Sequence, residues 1–282
     1  MAALTFWYGC NVVRHADIIH AAIALLEAVG VEVRPAGGPA YCCGTTKDAN
    51  LRGAEGMATR TVEKFNALGR DVVTWCPSCH RHMGDFIDHY TQPQFEVSHI
   101  TEVLHRHRER LAAKLVHPVP RRVMLHRHVG FREVEVNRLA AELLRLVPGL
   151  EVLESAVEVP AHMCSELARL PAVLSDVMAR TVAEARAAGA EDLVTVFHSC
   201  QRLWCGLAAE EPLGVVNYVK LLARAMGVEQ PDEYTQWKLA ASDEEAIAMI
   251  GAQRIERVDP ELFRSEVLPE IRRRPPRRGQ TP

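Results

Sequence analysis

The sequence predicts an α/β fold: two tandem pseudo-repeated α/β domains with short, mainly parallel sheets flanked by helices. Three observations carry this expectation. Short apolar runs alternate with segments of helical period, the pattern of parallel α/β units. The alternation occurs twice, at one nearly constant offset of about 120 residues. The composition over 282 residues, 48% hydrophobic and 24% charged, is ordinary globular material with enough apolar side chains for sizeable cores.

The elements of the first copy follow in order. Leu4–Tyr8 is a short apolar strand with aromatics. Ile18–Val29 carries apolar residues at helical spacing and stops at Gly30. Val31–Val33 alternates as the start of a strand. Ala54–Leu68 is an amphipathic helix ended by Gly69, and Asp71–Trp75 is the strand after it. The second copy reads as Arg122–Leu125, Glu133–Val147, Leu150–Leu153, Leu174–Ala188 and Leu193–Phe197.

The repeat is visible residue by residue. Arg60-Thr61-Val62 returns as Arg180-Thr181-Val182, and Gly69 as Gly189. Val73-Thr74 returns as Val194-Thr195, and Ser78-Cys79 as Ser199-Cys200. Gly30-Val31-Glu32-Val33 matches Gly149-Leu150-Glu151-Val152. The segments keep one order and slip by a residue at a time, as loop insertions make them do. The expected division is 1–104, a 105–121 linker, 122–228, and a 229–282 extension with a basic tail. The linker, with Pro118, Pro120 and several arginines, reads as a basic surface connection. Val215–Met226 reads as an amphipathic helix, and Arg272 to Gly279 as a disordered basic tail.

Charge and hydropathy exclude several classes. A net charge of −3 gives no general attraction to nucleic acid. No apolar run approaches the roughly 18 residues of a membrane-spanning helix. The opening MAALTFWYGC lacks the basic start of a signal peptide, so the expected location is cytoplasmic, peripheral to a membrane only through a partner. No G-x-G-x-x-G, phosphate-binding loop or G-x-S-x-G occurs, so nothing argues for a dinucleotide, ATP or a serine nucleophile.

Eight cysteines in such a chain point to metal binding or catalysis rather than disulfides. Five fall in the first copy: Cys10, Cys42, Cys43, Cys76 and Cys79. Each follows a predicted strand, and in parallel α/β folds those loops gather at the ligand-binding edge of the sheet. Cys76-Pro77-Ser78-Cys79 has the C-x2-C spacing that turns two sulfurs toward one metal. Gly44 frees the backbone after the adjacent Cys42 and Cys43. Soft thiolates select zinc, copper(I) or iron–sulfur clusters. Five is one more than a tetrahedral zinc or an ordinary cubane cluster accepts, which leaves a spare redox thiol or an unusual cluster with a bridging thiolate.

This pattern resembles the cysteine-rich CCG domain family, typified by the cysteine-rich subunit of heterodisulfide reductase. Cys10, Cys42-Cys43-Gly44 and Cys76-Pro77-Ser78-Cys79 supply each part of its motif. Such proteins usually carry two CCG domains in tandem, so the resemblance covers nearly the whole chain, with the second domain degenerate. It implies a non-cubane [4Fe–4S] cluster on these five cysteines. It also implies an oxidoreductase subunit that passes electrons toward a disulfide or quinone, beside partner subunits carrying flavin or iron–sulfur groups.

The second copy departs from the motif. Cys10 maps onto His126-Arg127-His128-Val129-Gly130, Cys42-Cys43 onto Met163-Cys164, Cys76 onto Phe197 beside His198, and Cys79 onto Cys200; Cys205 is extra. One reading is a different metal site, zinc or iron, drawn from His126 or His128, His162, Cys164, His198 and Cys200 or Cys205. The set expected for zinc is His162, Cys164, His198 and Cys200: each His–Cys pair is two residues apart and shares a face if extended. The other reading is a copy that has lost its metal and persists as scaffold. His15, His20, His80 and His82 flank the first set and could tune its sulfurs, and Arg14 and Lys47 could offset its charge. Two rival classes remain: a zinc-binding structural or interaction subunit without redox chemistry, and a metal-free thiol–disulfide enzyme using Cys76 and Cys79.

Overall fold

In the computed structural model, residues 3–10, 14–44, 50–85, 91–130 and 134–274 are described. Lys47, Glu133 and the tail beyond Arg274 lie outside them. β1 (Leu4–Trp7) buries Thr5, Phe6 and Trp7, as a central parallel strand covered on both faces must. β2 (Val33–Ala36) pairs with one edge of β1 and β3 (Asp71–Thr74) with the other. β4 (Glu96–His99) extends the sheet beyond β3. All pairs are parallel, in the order β2-β1-β3-β4.

The helices of this half form for local reasons. α1 (Ala16–Ala28) buries Ile18, Ala22, Leu25 and Leu26 at helical spacing and gives way to Gly30, whose φ of 83° only glycine adopts easily. α2 (Leu51–Asn66) starts where the Asn50 side chain accepts from the Gly53 N–H at 3.0 Å. α3 (Pro77–Asp85) opens on a proline, which costs nothing at a helix start. The Cys76–Cys79 stretch is therefore the first turn of a helix, not a free turn. α4 (Ile100–Arg106) and α5 (Arg108–Ala112) lead into the second half. The span 105–121, expected as a surface connection, buries Leu111, Leu115 and Val119.

Next come β5 (Arg121–Leu125), the two-residue β6 (Arg127–His128), α6 (Val136–Leu144), β7 (Leu150–Leu153) and the two-residue β8 (Glu158–Val159). They are followed by α7 (Pro171–Ala187), β9 (Asp192–Thr195), α8 (His198–Trp204), β10 (Gly214–Asn217) and α9 (Tyr218–Ala225). The second sheet runs β10-β9-β5-β7, again parallel, and β6 pairs with β8. Read from β7, this is the strand order of the first sheet. β1 and β3 in the first sheet, and β5 and β9 in the second, are neighbours at the point where the order reverses. The crevice at their carboxyl ends is where α/β sheets take ligands.

The sequence overlooked one strand in each four-stranded sheet, and the short β6 and β8 as well. Glu96–His99 has a single aliphatic residue to announce it, and Val215–Met226 is not all helix. Its first residues pair with β9, and the helix starts only after Asn217, whose side chain accepts from the Val219 N–H at 3.2 Å.

One hydrophobic core runs through both halves. α1 packs on α9 and α4 on α6. Asp17 of α1 meets Lys220 of α9 at 2.6 Å, both largely buried. A second, small core gathers Cys205 with Tyr234, Trp237, Phe263 and Leu268. The helices that form it are α10 (Glu233–Leu239), α11 (Asp243–Ile250), α12 (Ala252–Ile255), α13 (Pro260–Leu262) and α14 (Leu268–Arg272). Arg272, expected in a disordered tail, instead ends α14 and donates to the carbonyls of Trp237 and Lys238 at 3.1 and 2.9 Å.

Candidate metal centres

The five cysteines of the first half follow three neighbouring strands. Cys10 follows β1, Cys42 and Cys43 follow β2 after a short turn at Pro39–Tyr41, Cys76 follows β3, and Cys79 lies in the first turn of α3. Two tryptophans tie these loops together. Trp7 Nε1 donates to the Tyr41 carbonyl at 3.0 Å, and Trp75 Nε1 to the Tyr8 carbonyl at 2.5 Å. The Thr61 hydroxyl of α2 holds the Cys42 carbonyl at 2.7 Å.

Glycines let the loops close. Gly9, at φ 85°, takes a backbone conformation that favours glycine, and it lies beside Cys76 Cβ and Cys79 Sγ. A Cβ on Gly44, at φ 88°, would lie 2.6 Å from the Ala54 carbonyl oxygen. Four of the thiols are buried and Cys10 is half-buried.

The thiols act on one another. Cys10 is pushed far above the ordinary thiol range by its hydrogen bond to Cys42, by burial, and by repulsion from Cys42, Cys43 and Cys76. Cys79 is pushed up by hydrogen bonds to Cys43 and Cys76 and by its burial. Such a group cannot ionise together without positive charge at its centre. A soft metal or an iron–sulfur cluster supplies that charge and takes thiolates as ligands, so the donor set fits either.

The flanking residues lie in varied surroundings. Arg14 forms an ion pair with Glu270 of α14. His15 is buried against Tyr234, ring centres 4.9 Å apart, and His20 is exposed on α1. His80 lies edge-on to His99 at 5.8 Å, and His82 is buried on α3.

The second sheet has its own cluster at the equivalent crevice: His126 after β5, His128 on β6, Cys164 at the start of a 3₁₀ turn (Cys164–Arg169), and Cys200 in the first turn of α8. All four are buried, and one donor atom from each lies within 4.8 Å of all the others. His126 Nε2 is 3.0 Å from Cys164 Sγ; His128 Nε2 is 3.5 Å from Cys164 Sγ and 3.2 Å from Cys200 Sγ. Trp204 Nε1 donates to Cys164 Sγ at 3.2 Å, and the Cys164 N–H lies 3.5 Å from Cys200 Sγ.

Burial, then repulsion by His128, lowers His126 to about 4, so it is a neutral imidazole with a free lone pair. Burial and Cys200 push the Cys164 thiol up. Burial works against ionisation of Cys200 too, but hydrogen bonds from Cys164, His126 and His128 and the His128 charge turn its net shift downward. The neutral His126 imidazole, with His128 and the two thiols around it, makes a donor set that a metal ion takes as ligands. This His/Cys group and the cysteine-rich first half both suggest metal binding.

Of the second set expected from sequence, the structure brings together Cys164 and Cys200 only. His162 Nδ1 lies 2.6 Å from the Gly130 carbonyl oxygen, and His198 stacks on Trp75. His198 and Cys200 both lie in a helical turn, where residues two apart point about 200° apart. The rule that places such residues on one face needs extended backbone, and it holds for His126 and His128 instead. Cys205 stands apart in the small core, with its thiol 3.5 Å from the Arg202 carbonyl.

Residues 4–84 match the model of the CCG cysteine-rich domain family. No curated protein matches the chain. Among solved structures, an aspartate racemase homologue from Pyrococcus horikoshii OT3 is similar at a TM-score of 0.35 and 12% identity, over 80% of this chain and 97% of that one.

Proposed function

We propose that this chain is an iron–sulfur redox subunit of a heterodisulfide reductase-like oxidoreductase complex, with Cys10, Cys42, Cys43, Cys76 and Cys79 as ligands of a non-cubane [4Fe–4S] cluster. The observation that carries the reading is the mutual contact of these thiols at the sheet's switch-point crevice, within the segment that matches the cysteine-rich domain. When bound, such a cluster takes up and returns electrons singly.

The chain's own residues do the rest. Trp7, Trp75 and Thr61 fix the three loops, and Gly9 and Gly44 let the sulfurs approach. Cys10 is the half-buried member of the five. A disulfide or quinone acceptor takes two electrons and two protons. The electrons come from a partner subunit bearing flavin or iron–sulfur groups, because this sequence has no dinucleotide motif. Among the described residues no helix is long and apolar enough to cross a membrane, which suits a cytoplasmic subunit held to any membrane by its partners.

Anaerobic purification with iron and sulfide analysis and electron paramagnetic resonance tests the assignment. Cys43→Ser and Cys79→Ser should each abolish or severely reduce bound iron, and Cys205→Ser should keep it. Iron lost from Cys205→Ser but kept by Cys43→Ser would sink it. From native cells the chain should co-purify with a flavin or iron–sulfur subunit; isolation as a lone enzyme that turns over substrate counts against the partner.

A further inference from the structure

We infer that His126, His128, Cys164 and Cys200 form a closed, structural site for a single zinc ion, separate from the five-cysteine set. The geometry is that of one small ion. Zinc bonds of about 2.0 Å to nitrogen and about 2.3 Å to sulfur place tetrahedral donor pairs about 3.3–3.8 Å apart. Three of the four sulfur–nitrogen pairs are 3.0, 3.5 and 3.2 Å apart, and no donor atom is more than 4.8 Å from another. Closing the widest pairs by up to about 1 Å would seat the ion. A two-iron cluster would spread the same donors over two metals, and these contacts are too short for that.

The chemistry selects the ion. Two thiolates and two imidazoles carry a charge of −2, which a divalent ion neutralises, and this mixed set suits zinc over magnesium or calcium. Four protein ligands fill a tetrahedron and leave no open position, the mark of a structural rather than a catalytic site. The surroundings are those of a built site. Trp204 Nε1 donates to Cys164 Sγ, and the Cys164 N–H points at Cys200 Sγ. Such outer bonds orient ligand atoms and hold them when the ion binds.

The position gives the ion its task. Its ligands come from three separated segments at the carboxyl edge of the second sheet: the end of β5 with β6, the 3₁₀ turn at Cys164, and the first turn of α8. Without a cross-link these meet through side-chain packing and a few hydrogen bonds, among them those of Trp204 and the Cys164 N–H. The ion would pin them at the crevice equivalent to the one that holds five thiols in the first half.

Metal analysis with zinc-edge X-ray absorption on the full chain carrying Cys42→Ser and Cys43→Ser decides the matter. The expected result is about one zinc per chain, with two sulfur neighbours near 2.3 Å and two nitrogen neighbours near 2.0–2.1 Å. Adding Cys200→Ser or His128→Ala should weaken zinc at least tenfold, while His162→Ala should not. No zinc in the folded double variant overturns the proposal, as does a donor set other than two sulfurs and two nitrogens, or iron as the only metal retained. If the Cys200→Ser chain does not fold, the absorption spectrum of the double variant decides alone. Cys10, Cys76 and Cys79 remain in this variant, so the two-nitrogen donor set and the loss of zinc on Cys200→Ser are what assign the ion to this site rather than to those thiols.

Discussion

The indole of Trp75 lies against the imidazole of His198, ring centres 5.2 Å apart and 36° from parallel. Trp75 directly precedes Cys76, and His198 comes two residues before Cys200. The contact therefore joins the carboxyl edges of the two sheets just where each gathers its sulfurs. His15 completes the junction, 6.4 Å from His198 on one side and 4.9 Å from Tyr234 on the other. The two candidate centres share a wall of rings, and the packing of one half braces the ligands of the other.

Trp75 should accordingly matter to both centres. Trp75→Ala removes a fully buried ring and should cost about 3–5 kcal/mol. Trp75→Phe keeps a ring against His198 but loses the bond to the Tyr8 carbonyl, and should cost about 1 kcal/mol. Urea midpoints and metal per chain check this. An alanine variant with unchanged midpoint and unchanged metal content would show that the contact braces nothing.

Gly44 and Gly38 form a matched pair. Both have φ near 85°, and Gly38, at ψ −177°, lies in a region that glycine alone adopts easily, so alanine strains the backbone there by about 1–3 kcal/mol. A methyl at Gly38 meets nothing within 4 Å, whereas one at Gly44 lies 2.6 Å from the backbone oxygen of Ala54. Gly44→Ala should therefore destabilise clearly more than Gly38→Ala. It should also lower iron binding, because Cys42 and Cys43 must move with it. Equal stability losses and equal iron in the two variants would mean that the Cys-Cys-Gly turn has slack the packing does not show.

The limits of sequence reading are physical and specific. Three strands per half were legible because runs such as Leu4–Trp7 are apolar on both faces and stop at glycines. β4 and β10 were not: Glu96–His99 has one aliphatic residue, and Val215–Asn217 runs straight into the apolar period of the helix that follows. The neighbourhood of Cys10, Cys42, Cys43, Cys76 and Cys79 was legible because every one follows a parallel strand. In the second half the repeat pointed to the stretch holding His126 and His128. Choosing them over His162 and His198 required knowing that 127–128 is extended and that 198–200 is helical. Both stretches are two residues apart and polar, so periodicity cannot separate them. Arg14 shows another limit: its partner, Glu270, is 256 residues away on a helix with no counterpart in the repeat.

His99 should make stability fall in acid. It caps α4: its side chain accepts from the Thr101 N–H, and Glu102 reaches back to the His99 N–H at 2.7 Å. The ring is fully buried, with His80 edge-on to it. Burial first, and His80 second, lower it from 6.5 to about 3, against a weaker opposite pull from the Trp75 backbone. The sign follows from proton counting. Between about pH 3 and pH 6.5 the unfolded chain binds a proton at this histidine and the folded chain does not. The stability is therefore complete above about pH 6.5 and is lost toward acid, at about 1.4 kcal/mol per pH unit from this residue. His99→Asn keeps a good cap and removes the titration. Urea midpoints of wild type and variant between about pH 7 and pH 5 should converge or cross as the pH falls, the wild type losing about 1.4 kcal/mol more per unit. Thiolate ligands also take up protons in acid, but both proteins share that loss and it cancels in the difference. Parallel pH profiles for the two proteins would show that His99 is solvated or charged in the folded chain.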